Sequence, residues 1–187
     1  MRKLVLKMAV TVDGFVSGLN GELDWFHRYS DEDGLLWMEK CLWNAGVHIM
    51  GRKSFESMGS YWPTSTNALA EPINKIPKVV FTKQEDLDLT KFENSWSEAL
   101  VASDLCSEIA KLKQQEGKYI LAHGGASFAQ DLVHYDLIDE YRLVIYPVIL
   151  GKGKSLFVKA QKNINLRLIN STSYPSGIII NTYQREK

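Results

Sequence analysis

The 187-residue chain is 45% hydrophobic, enough for one domain over residues 1–187 that needs no disulfide or metal to fold. Its 22 Lys and Arg balance its 22 Asp and Glu, which excludes a global field for nucleic acid or an anionic membrane; any anion must be bound locally. Cys41 and Cys106 have neither metal-ligand spacing nor the density of a secreted scaffold, so they read as small core hydrophobes in a reducing, cytoplasmic setting.

Residues 3–10 are a strand by length and apolar continuity, although Lys7 interrupts the run, and Asp13-Gly14 ends it as a turn. That interruption and the missing cleavage site argue against a signal peptide, and no later run is long enough to span a membrane. After a loop, Ser30 offers a helix cap with Asp33 three residues on. Leu35, Met38, Leu42 and Ala45 then recur at helical spacing until Gly46 offers a left-handed stop. Residues 47–50 and 78–82 are short apolar runs, as in strands buried on both faces. Between them, 59–77 reads as loop and holds three of the five prolines. Val101, Leu105, Ile109 and Leu112 predict a second amphipathic helix within 97–113, and 126–134 a third, preceded by the strand YILA and two glycines. From residue 139 no helical period survives, and 164–174 with 177–186 predict an antiparallel hairpin. Together these elements predict an α/β fold whose sheet is mostly parallel with an antiparallel edge.

Twice an apolar strand delivers glycine to the start of a helix: Gly51 before Arg52, Lys53 and Ser54, and Gly124-Gly125 before Ala126 and Ser127. Helix amino-termini at the carboxyl ends of parallel strands present free N–H groups and a positive dipole end. Two of them suit a pyrophosphate, with Arg52 and Lys53 neutralising charge and Ser54 donating a hydrogen bond. Neither segment is a G-x-G-x-x-G fingerprint or a P-loop. The four histidines lack ligand spacing and a nucleophile partner, so neither a metal centre nor a triad is expected.

VHIMGRKSFESMG resembles the cofactor segment of dihydrofolate reductases, KVVFTK their next strand, and YILAHGGASF their glycine pair before a helix. The resemblance runs along nearly the whole chain. It implies a dihydrofolate reductase-like three-layer αβα sandwich with NADPH as cofactor. Gly51, Arg52, Lys53 and Ser54 would lie at its phosphates, Thr82 and Lys83 at its adenosine 2′-phosphate, and Gly124, Gly125, Ala126 and Ser127 at its pyrophosphate. TVDGFVSG and PVILGKGKSLF resemble instead the reductase domain of the riboflavin-biosynthesis deaminase/reductase, which is expected to pair as a homodimer. No zinc deaminase signature accompanies them.

The place of the folate enzymes' pteridine carboxylate, counted from Trp25, is Ser30, with Asp31 one step off. Expected chemistry is hydride transfer to a C=N or C=O of a small heterocyclic or ribosylamino substrate, as in 5-amino-6-(5-phosphoribosylamino)uracil reductase. Asp13 is the first candidate for the catalytic polar group beside the nicotinamide, its rival role being a turn residue. Trp25 and Asp31 are candidate substrate contacts, and Glu22 and Asp24 are alternates read mainly as solvated. A dihydrofolate reductase, a nucleotide-binding protein without turnover and an interaction protein remain the other readings.

Overall fold

The computed structural model describes residues 1–29 and 32–186. Ser30 and Asp31, the cap and the pteridine-carboxylate position, lie outside the described residues.

Ten strands and five α-helices follow one another as β1 (Leu4–Thr11), β2 (Phe15–Ser17), α1 (Glu32–Trp43), β3 (Ala45–Gly51), α2 (Arg52–Tyr61), α3 (Ala70–Lys75), β4 (Lys78–Phe81), β5 (Leu100–Ala102), α4 (Leu105–Gln114), β6 (Tyr119–Ala122), α5 (Ala126–His134), β7 (Glu140–Tyr146), β8 (Lys154–Ser155), β9 (Leu166–Ser173) and β10 (Ile179–Arg185) among the described residues. Eight strands form one sheet in the order β5-β4-β3-β6-β1-β7-β10-β9. It is parallel from β5 to β7, and β10 runs antiparallel to both β7 and β9.

Strand alternation sorts the side chains into layers. On β1, Leu4, Leu6 and Met8 pack with Ile109 and Leu112 of α4 and Phe128 and Leu132 of α5. Val5 points the other way, against Cys41 and Leu42 of α1, Phe55 of α2 and Ile73 of α3. These are the three layers expected. Lys7 shares the parity of Val5 and so belongs to the face beneath α1.

Several local expectations are corrected. Helix α1 stops at Trp43 because the Asn44 side-chain amide donates to the Lys40 carbonyl at 2.8 Å, while Gly46 lies inside β3. The helix expected over 97–113 begins only at Leu105, where the Asp104 carboxylate accepts from the Ser107 amide at 2.9 Å; Val101 belongs to the edge strand β5. The loop 59–77 contains the remainder of α2, a single 3-10 turn and α3, whose Pro72 sits in the first turn, where a missing N–H costs nothing. Cys41 is buried as expected, but Cys106 is exposed on α4.

Candidate active site

Strands β3 and β6 are neighbours, so the helices that leave their carboxyl ends start side by side. Gly125 adopts φ +112°, and a Cβ there would stand 2.7 Å from the Ser54 hydroxyl oxygen. At Gly51 a Cβ would meet the Phe128 Cβ at 3.1 Å. The first turns of α2 and α5 therefore abut through glycines, and neither has a side-chain cap. Two sets of free amides face one cradle that a side chain would fill, an arrangement suited to a phosphate pair.

The cations around it are not all free. Arg52 donates to Glu56 at 2.8 Å and to Gln84 at 3.0 Å, and also pairs with Asp86. Its hydrogen bond to Asp86, then that to Glu56, raises its pKa further above the ordinary guanidinium value. Arg52 thereby ties α2 to the segment after β4, bringing together the residues expected at the adenosine end. Thr82 accepts from the Gln84 amide at 3.0 Å, whereas Lys53, Lys83 and Ser127 are exposed, and Gly124 and Ala126 are half-buried.

Asp13 is committed to backbone. Its carboxylate accepts from the Thr11 hydroxyl at 2.5 Å, the Gly151 amide at 2.8 Å and the Leu150 amide at 3.1 Å. The Thr11 bond first, then those of Gly151 and Leu150, hold its pKa below the usual carboxylate range. Asp13 thus clamps the loop after β7 through its carboxylate. The glycines of PVILGKGKSLF have their reason in the same loop: Gly151 takes φ +73°, and a Cβ at Gly153 would stand 2.3 Å from the Ser17 carbonyl oxygen, where β8 meets β2.

Trp25 is core. Its ring packs edge-on against Tyr146 with centroids 5.1 Å apart, in a cluster with Val144, Ile178 and Ile180. Glu22 accepts from the Asn20 side chain at 2.7 Å and amide at 3.0 Å, a turn role, and Asp24 is exposed.

The substrate-sized space lies elsewhere: an apolar cavity of about 410 Å³ between α1 and α2, walled by Met38, Trp62, Tyr146 and Ile180, with Lys7 and His123 also lining it. Burial lowers the Lys7 pKa, an effect partly opposed by the neighbouring Cys41 thiol. His123 packs edge-on against His48 at 4.6 Å, and its Nε2 has no hydrogen-bond partner. Burial first, then His48, Lys7 and Lys78, push its pKa well below the ordinary imidazole value. Neither residue was a sequence candidate. The available signals were a lysine inside an apolar strand and a histidine directly before the glycine pair. A larger cavity, about 520 Å³, is lined by Cys41, Tyr119 and Arg142 at the opening ends of β6 and β7. Ligands in open parallel sheets sit at the carboxyl ends, so the smaller cavity, adjoining the glycine cradle through His123, is the candidate site.

The fold defines an α/β protein of dihydrofolate reductase type, with a glycine cradle where two helix amino-termini meet. More narrowly, the chain belongs to the RibD C-terminal domain family, whose model matches residues 2–180. It is 34% identical over 179 residues to the uncharacterized protein YyaP of Bacillus subtilis (strain 168), covering 95% of this chain and 92% of that protein. Among solved structures, a pyrimidine reductase-like protein from Corynebacterium diphtheriae aligns over 100% of this chain and 92% of its own, with TM-score 0.70 and 14% identity. Dihydrofolate reductase from Enterococcus faecalis, complexed with NADP(H), aligns over 99% and 97%, with TM-score 0.68 and 17% identity. At such identities these structures establish the shared fold.

Proposed function

We propose that this chain is an NADPH-dependent reductase that delivers hydride to a C=N or C=O carbon of a small substrate held over Lys7 and His123. The observation that carries this reading is the glycine cradle, where Gly125 leaves room that any side chain would take from Ser54. Gly51, Ser54, Gly124, Gly125, Ala126 and Ser127 would hold the pyrophosphate, with Arg52, Lys53, Thr82 and Lys83 toward the adenosine end. When bound there, the reduced nicotinamide supplies the hydride.

The protein's own part is alignment, exclusion of water and a proton. The apolar walls keep water out, and Asp13 fixes the loop after β7. Lys7, whose depressed pKa makes its ammonium a stronger acid, donates to the heteroatom that gains negative charge. A folate-type substrate would need a carboxylate for its amidine, and the place counted for it, Ser30 with Asp31 one step off, lies outside the described residues.

The test is NADPH oxidation with 5-amino-6-(5-phosphoribosylamino)uracil, dihydrofolate and small carbonyl compounds in turn. A substrate-dependent rate that falls on the order of 100-fold in Lys7→Met, with NADPH affinity unchanged, is expected. Unaltered turnover in that variant would remove Lys7 from the chemistry.

A further inference from the structure

Among the described residues, the sheet face beneath α1 gathers basic groups that no ion pair matches to an acid. Lys7 on β1, His48 on β3, Lys78 on β4 and His123 after β6 share this face, and burial first, then the neighbouring basic groups, lowers the pKa of both histidines. Two cations of this region are already satisfied. Lys78 donates to the Ile76 carbonyl at 2.8 Å and to the Ser95 hydroxyl. Arg142, in register with Lys7, pairs with Glu140 at 2.8 Å and donates to the Tyr119 hydroxyl at 2.8 Å.

Lys7 and His123 differ from these. None of the ion pairs among the described residues includes Lys7. His123 is only 4% exposed, yet its Nε2 is unbonded. The two follow directly on the paired residues Leu6 and Ala122, so they stand side by side on adjacent strands. Among the described residues, an apolar slot thus ends in a lysine without an ion pair beside an imidazole Nε2 without a hydrogen-bond partner.

Building on the reductase reading, we propose that the substrate is a 2-oxo acid with a flat apolar body, its carboxylate and adjacent carbonyl oxygen seated on Lys7 and His123. Such an edge supplies the two missing acceptors and the one missing negative charge, and its body fits against Tyr146, Met38 and Ile180. A pterin edge, rich in donors, would meet donors. A bound anion offsets the burial that lowers the Lys7 pKa. In the reaction the carbonyl carbon gains hydride from the reduced nicotinamide, which is oxidised. The carbonyl π bond breaks, and its oxygen takes a proton from Lys7, leaving a 2-hydroxy acid; solvent reprotonates Lys7.

Binding of benzoylformate, its methyl ester and benzamidine to the full chain, measured calorimetrically without cofactor, tests the assignment. Benzoylformate is expected to bind at least about tenfold tighter than the ester, an advantage kept in Lys7→Arg and lost in Lys7→Met. Equal binding of acid and ester would overturn it. So would a preference for benzamidine that disappears in Asp31→Asn, since an acid would then furnish the floor. NADPH titrated in parallel separates the two claims: intact cofactor binding without the acid preference sinks the substrate class alone, and absent cofactor binding sinks the reductase reading.

Discussion

Lys78 and Arg52 show how single side chains on this framework can be tested. Burial pulls the Lys78 pKa down to about 7, far below its unfolded value near 10.5. Between those values the unfolded chain binds a proton that the folded chain lacks, so stability rises with pH across the window. The limit for one proton is about 1.4 kcal/mol per pH unit. Below pH 7 the cost is present in full. Lys78→Met should therefore flatten the stability–pH curve between about pH 7.5 and about pH 9.5 in urea unfolding, and an unchanged slope would contradict the burial argument. His48, lowered to about 3 by burial and then Lys78, adds a slope of the same sign between that value and 6.5. At the crevice, sequence does not reveal that Asp86 and Glu56 fold back onto Arg52. An incoming 2′-phosphate competes with these carboxylates. Asp86→Asn should tighten NADPH about two- to fivefold in a binding titration while leaving NADH unchanged. Asp13 was legible as a special residue from Asp-Gly, but its clamp on Leu150 and Gly151 was not, because those partners lie more than a hundred positions away.

Among elements, the junctions of β3 with α2 and β6 with α5 were the most legible. Glycine at a strand end before a helix is a local signal, and the structure brings both to one cradle. Gly125 is the sharpest test of that cradle. Gly125→Ala places a side chain at φ +112° and against Ser54, a strain of about 1–3 kcal/mol, which should appear as a lower Tm. Elements fixed by distant partners were misread. Strand β5 has exposed Leu100 and Val101 and exists by pairing with β4, so its residues resemble one face of a helix when read alone. Asp104, whose carboxylate caps α4, falls inside the apolar spacing that begins at Val101, so that spacing ran the expected helix on past its cap. Lys7 and His123 were overlooked for the same reason: each gains meaning only from the strand beside it.

Of the two edge strands of the sheet, β5 and β9, it is β9 that exposes the more apolar surface. Strand β9 leaves Leu168 53% and Ile169 50% exposed, an apolar strip on an open sheet edge. We propose a homodimer through this strip. Light scattering at micromolar concentration should give twice the chain mass, and Leu168→Lys should weaken association about tenfold or more. A monomeric wild type would refute this. The α/β class, the parallel order and the closing hairpin were all readable from alternating periodicities, because each is written in local pattern. No helix of the described residues is long and apolar enough to cross a membrane. The substrate cavity was not readable, since residues from α1, α2, β1, β7 and β10 meet there only after folding. Titration of NADPH into the wild type and Gly125→Ala, followed by energy transfer from tryptophan, tests the central claim most directly. The account predicts saturable binding of one cofactor per chain, weakened about tenfold or more in the folded variant. Absence of saturable binding to the wild type, or equal affinity for both proteins, would contradict it.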